Sequence, residues 1–143
     1  MSSMSLVWYT LAAAALFAKF VFTTGLQGIT RMRTKTFQYP EDAAYWRGSE
    51  PPTEVERVVR AQRLLRNDAE GQPFFLAIGL AFVLLGGPPL FSALYFGVYA
   101  VSRVVHAGFF LRPQQPHRNR AFAVGMLALI ALTVHSLVLA AAR

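Results

Sequence analysis

The 143-residue chain has no cysteine. Disulfides, thiolate metal sites and a cysteine nucleophile are therefore excluded, and any thiol chemistry must act on a thiol carried by a ligand. Charge is scarce too, at 15% of residues, where soluble domains carry about a quarter. No lysine follows Lys35, and every base from Arg57 to Arg66 is arginine. No basic residue precedes the first apolar segment and no small-residue cleavage site ends it, which argues against a cleaved signal peptide. No His, Asp or Glu spacing argues for a metal, and there is no internal repeat or low-complexity stretch. What remains is 55% hydrophobic with a net charge of +7. A basic balance fits nucleic acid, anionic lipid or an acidic ligand, but in a membrane protein most of it reflects topology.

The apolar residues fall into segments of membrane length. About 20 residues at 1.5 Å each cross a hydrocarbon core of roughly 30 Å. Leu6 to Thr24 is apolar except for Lys19, with Trp8 and Tyr9 placed as interfacial anchors. A first helix is expected over 6–36, and the polar stretch to Pro52 then reads as a folded loop. A second helix is expected over 54–85, with Thr53 as a possible N-cap and Glu54 and Glu56 at its positive end. Its apolar part, Pro73 to Leu85, is too short to span alone, so the polar half from about Arg66 must lie at the interface or at membrane depth. Gly86, Gly87, Pro88 and Pro89 form an uncharged turn. Further helices are expected over 90–111 and 119–142, joined by the basic, proline-rich linker from Arg112 to Arg120. The expected fold is an all-α integral membrane protein, a four-helix transmembrane up-down bundle forming a single domain over 1–143. Eleven of the fourteen Lys and Arg lie between Arg31 and Arg66 or between Arg112 and Arg120. The positive-inside rule puts those connections on the cytoplasmic side and both termini on the opposite side.

Charges at membrane depth need a reason. Lys19 has two readings, snorkelling to the interface and an inward ion pair. Arg103 and His106, one turn apart, fit structural roles, with Arg103 pairing to an acid of the second helix. His135, towards the other side, reads as structural or interfacial. The stretch from Arg57 to Glu70 differs in kind. On a helix it lines up Arg60, Arg63, Asn67 and Glu70, with Arg66 at the edge. Arginine forks match carboxylates and stay charged when desolvated, and Glu70 suits an ammonium group. A ligand with two carboxylates and one amine satisfies that set. By spacing alone, a pore lining or a lipid headgroup site fits equally well.

Several motifs in order resemble the MAPEG family, the membrane-associated proteins of eicosanoid and glutathione metabolism. Val55-Glu-Arg-Val58, Arg60-Ala61 and Arg66-Asn-Asp-Ala-Glu70 resemble its signature. Phe37-Gln-Tyr-Pro-Glu-Asp42, preceded by Arg31-Met-Arg33, resembles its F-x-N-P-E-D loop. Arg103-Val-Val-His106 matches an R-x-x-H pattern, and Asn119-Arg-Ala121 matches the start of the last helix. The resemblance implies a homotrimer with glutathione as cosubstrate in clefts between subunits, and lipophilic substrates entering from the bilayer. Nucleic acid is not an expected partner. Carried over by position, Arg31, Arg63, Arg66, Asn67, Glu70 and His106 would hold glutathione. Phe110 stands where the family often has tyrosine. Asp42 would support the site, and Arg120 would face the thiol as catalytic residue. Three additional residues between Arg57 and Asn67 leave Arg60 and Arg63 as alternatives. Ala121 follows Arg120 where prostaglandin E synthase has serine, so the resemblance is nearer to the microsomal glutathione transferase branch. The expected activity is glutathione-dependent transfer to lipophilic electrophiles, or reduction of lipid hydroperoxides. The alternatives are an anion transporter or channel and a lipid-binding structural bundle.

Overall fold

A computed structural model of the chain describes residues 3–51 and 53–142. Pro52, which ends the first polar connection, and Arg143 lie outside the described residues. The described residues are helical in five places and contain no extended strand. These helices are α1 (Ser3–Thr34), α2 (Pro40–Tyr45), α3 (Glu56–Leu84), α4 (Pro89–Leu111) and α5 (His117–Ala141). The four long ones match the expected segments to within three residues at each end. Helices α1, α4 and α5 are long and apolar enough to cross a membrane. The fifth helix, α2, is a short helix of six residues inside the first connection.

That connection is folded, as its motif suggested. Pro40 opens α2 at a position where its missing N–H costs nothing, with Glu41 and Asp42 in the first turn. The Phe37 N–H donates to Ser49 O at 3.0 Å and the Ser49 N–H to Lys35 O at 2.9 Å, which buries the Phe37 ring. A Cβ on Gly48 would collide with the Lys35 carbonyl and that ring, so only glycine fits there. Arg31, at the end of α1, reaches Glu54 at 2.9 Å and Gln38 at 3.2 Å. This overturns Thr53 as the helix cap. Glu54 is drawn to Arg31, and α3 starts only at Glu56, after Val55, without a side-chain cap. The helix then runs through Pro73.

The core is aromatic. Phe75 of α3 stacks on Tyr99 of α4 at 3.8 Å between ring centres, and Phe96 meets Phe75 edge-on at 5.9 Å. Small residues of α5 let the last two helices approach closely, with Gly125 set against Ser102. At the end of the bundle that holds the Gly86–Gly87 turn, Tyr95 Oη lies 3.2 Å from His135 Nδ1, whose ring packs against Phe82 and Phe91. Of the two readings of His135, structural and interfacial, this packing fits the structural one. There the buried Ser5 hydroxyl also donates to the Gly87 carbonyl at 2.8 Å. Ser5→Ala would leave that carbonyl bare and is expected to lower stability by about 1–3 kcal/mol, checked by thermal unfolding in detergent.

Polarity is arranged outside-in. Lys19, Thr23, Ser92, Ser102, Arg103 and His106 are buried, while Phe17, Phe22, Leu127 and Leu137 are exposed. Such an exterior suits hydrocarbon, where apolar side chains face the solvent and polar ones need partners within the protein.

Candidate functional site

The centre of the polar interior is Asp68. Leu64, Asp68 and Phe75 share the buried face of α3, so an acid stands in an otherwise apolar line. Lys19 Nζ of α1 lies 2.7 Å from Asp68 Oδ2, and Arg103 of α4 donates to Asp68 Oδ1 at 2.9 Å. At that distance the Lys19–Asp68 contact is a short, buried ion pair. Coulomb attraction is strong there because little water screens it. Lys19 therefore makes the inward ion pair, and Arg103 pairs with an acid of the second long helix as expected.

The same guanidinium reaches the Asn67 side of α3. Arg103 Nη2 donates to Asn67 Oδ1 at 2.9 Å, and the guanidinium lies 5.4 Å over the Phe122 ring of α5. Asn67, Glu70, Tyr99, Arg103, Phe122 and Met126 line a cleft of about 130 Å³. Tyr99 lies ten residues after Pro89 and twelve before Leu111, about 15 and 18 Å from either end of α4. The cleft thus runs from the middle of α4 towards its Leu111 end, where Arg103 lies one turn beyond Tyr99.

The residues picked out by sequence divide into two groups within one chain. Asn67 and Glu70 line the cleft. His106 is buried beside it, with ring centres 5.7 Å from Phe122 and 5.5 Å from Phe110. Its Nδ1 has no hydrogen-bond partner among the described residues, and neither has the buried Gln72 Nε2. Phe110 lies under the Arg118 guanidinium at 5.1 Å.

The others lie outside the cleft. Arg63 is exposed, and Arg66 and Glu70 have side chains 86% and 68% exposed at 3.9 Å from each other. Asp42 is exposed on α2, and Arg31 is engaged with Glu54. Arg120 is exposed two positions before Phe122, about 200° round the helix. It therefore leaves α5 on the side away from its own chain's cleft. Arg60 binds Glu56 one turn back and points away from the cleft.

Sequence reading missed Asp68 as the hub, and with it Tyr99 and Phe122. An acid at helical spacing within an apolar stripe was the available signal for Asp68. The two aromatics carried none, because they look like ordinary core.

Chemically, the arrangement offers guanidinium groups on the outer face of α3 and one carboxylate beside a small, aromatic-walled hollow. A volume of about 130 Å³ is below the roughly 300 Å³ at which ligand pockets begin. One chain's cleft can therefore take only part of a ligand of tripeptide size.

Known proteins share this sequence pattern. The profile of the MAPEG family matches residues 9–138. Rat microsomal glutathione S-transferase 1 is 35% identical over 126 residues, covering 84% of this chain and 81% of the relative. Human prostaglandin E synthase is 33% identical over 133 residues, covering 89% and 84%. The horse prostaglandin E synthase is 32% identical over 127 residues, covering 88% and 83%. With a profile match over most of its length, apolar helices of spanning length and relatives aligned across most of both chains, this membrane protein belongs to the MAPEG family.

Proposed function

We propose that the protein is a membrane-bound enzyme that uses glutathione as cosubstrate and transfers it to lipophilic electrophiles. The observation that carries the reading is the placement of Asn67 and Glu70 on a cleft beside the exposed arginines Arg63 and Arg66. Glutathione carries two carboxylates and one ammonium at neutral pH. Arg63 and Arg66, with Arg31, offer forks for the carboxylates, and Glu70 takes the ammonium. Asn67, His106 and Phe110 complete the wall, and Asp42 supports it from the loop. The names of the relatives, a glutathione transferase and a prostaglandin synthase, point to the same reaction family. Ala121, in place of a hydroxyl-bearing residue beside Arg120, favours transfer over isomerisation.

In this reading the site is completed by a second copy. The cleft of one chain is too small for the whole tripeptide, and Arg120 faces outward. A homotrimer, in which Arg120 of one chain meets the thiol held by its neighbour, resolves both facts. Helix α3 crosses the bilayer with the other three long helices to give a single domain and a four-helix bundle. The charged connections and the site lie on the cytoplasmic side, with both termini opposite.

The chemistry is carried by charge. A guanidinium beside a thiol stabilises the thiolate. The thiol proton leaves to water, the thiolate sulfur attacks an electrophilic carbon, and a C–S bond forms as the leaving group departs with its electron pair. With a lipid hydroperoxide, two glutathione molecules give one disulfide, one alcohol and one water. Conjugation of 1-chloro-2,4-dinitrobenzene by the protein in detergent, with and without glutathione, tests the reading. Glu70→Gln removes a charge-assisted hydrogen bond and is expected to raise KM for glutathione about ten- to a hundredfold. An unchanged KM would remove Glu70 from the site. Anion flux in liposomes without thiol consumption would favour a transport role instead.

A further inference from the structure

A second and larger hollow lies at the opposite face of α4. It has a volume of about 830 Å³ and is enclosed by α1, the first turns of α3, the last turns of α4 and the start of the linker to α5. Its wall is apolar and formed by Phe22, Leu26, Val105 and Phe109. Its mouth is basic, with Arg57, Arg60 and Arg112 set against a single acid, Glu56. Arg60 is bonded to Glu56, which leaves Arg57 and Arg112 with no acidic partner among the described residues. None of these residues lines the Asn67–Glu70 cleft. Val105 is two positions from Arg103 on α4, about 200° round the helix.

The hollow is continuous with the lipid-facing surface. Phe22 is 64% exposed and Val105 is 42% exposed, both on helices of spanning length. An anionic head at the arginines and a hydrocarbon tail over Phe22 and Val105 satisfy both halves of this surface. The volume lies in the range of ordinary ligand pockets. Basic pockets between membrane helices at the headgroup level select acidic lipids by the same balance of charge and apolar contact.

We propose that this hollow is a site for an acidic phospholipid, whose head phosphate is held by Arg57 and Arg112 and whose acyl chain lies against Phe22, Leu26, Val105 and Phe109. The site accounts for Arg57, which thiol binding does not use, and it stands whether or not the protein acts on glutathione.

The test is native mass spectrometry of the detergent-purified protein with phosphatidylglycerol or phosphatidylcholine of identical chains. Phosphatidylglycerol is expected to be retained well above phosphatidylcholine. Arg57→Gln with Arg112→Gln is expected to reduce that preference roughly thirtyfold, with the unfolding midpoint preserved. Arg112→Gln alone, an exposed linker change, gives a smaller loss and serves if the double variant fails to fold. Val105→Trp fills the apolar wall without touching charge and is expected to weaken retention as well. Equal retention of the two lipids, or a preference that survives loss of the arginines, overturns the proposal. Displacement of phosphatidylglycerol by millimolar inorganic phosphate would mean that a free anion, not a lipid, is the ligand, and would overturn it too.

Discussion

Asp68→Asn is expected to destabilise the protein by about 3–5 kcal/mol, the usual cost of removing one partner from a buried ion pair. The residue is 6% exposed, between Lys19 at 7% and Arg103 at 3%. Without its charge, two buried cations face each other with no anion between them. The cost should be asymmetric. The cluster holds two cations and one anion, so Lys19→Met leaves Asp68 and Arg103 as a balanced pair at 2.9 Å. That substitution is expected to be far milder, because a well-packed apolar replacement of a buried charge is often neutral. Unfolding followed by tryptophan fluorescence in detergent would distinguish the two. If Lys19→Met is as damaging as Asp68→Asn, the cluster is not held by charge balance. Asp68→Asn also disturbs function, because the guanidinium it orients is the one that fixes Asn67 Oδ1 at 2.9 Å.

Arg120→Ala is expected to lower kcat for thiol conjugation by about a hundred- to a thousandfold, the range found when one stabilising donor is removed from a reacting centre. Binding of glutathione should change little, because the proposed recognition groups lie on α1, α3 and α4. The outward course of Arg120 makes the result sharper. An Arg120→Ala chain and a Glu70→Gln chain, each impaired alone, are expected to regain activity when co-expressed, since mixed assemblies contain an intact cleft beside an intact Arg120. Activity that stays at the level of the separate variants would show that cleft and arginine act within one chain.

The sequence disclosed the helices well where proline or glycine punctuates them. Pro88 and Pro89 place the start of α4, Pro116 precedes α5, and both helices begin within two residues of expectation. The first connection was legible as folded but not as containing α2, because six residues give no helical period to read. The start of α3 was misplaced for a different reason. Arg31 and Glu54 are 23 positions apart, and no local pattern announces that pairing. Asn67 and Glu70, which line the cleft, stood out in the sequence because arginine and acid at helical spacing are unusual. Asp68 sits between them in the chain but on the other face of the helix, so its role depended on which side Lys19 and Arg103 approach. Arg120 illustrates the same limit, since its motif marks its position and only the direction of α5 shows that it turns outward.

The Lys19–Asp68–Arg103 cluster bears on how the protein is made. A charged residue at the centre of a spanning helix costs roughly 2.5–3.5 kcal/mol in translocon-mediated insertion, and α3 carries Arg63, Arg66, Asp68 and Glu70 next to a short apolar run. In the four-span topology proposed above, such a helix is a poor membrane segment when it leaves the ribosome. Helix α1, already synthesised, holds the lysine that meets Asp68, and α4, which follows, holds the arginine. Integration of α3 is then a joint event, in which the first helix acts as a tethered chaperone and the next completes the neutralisation. Truncation after the Gly86–Gly87 turn should therefore give a chain that inserts inefficiently and is cleared by quality-control proteolysis.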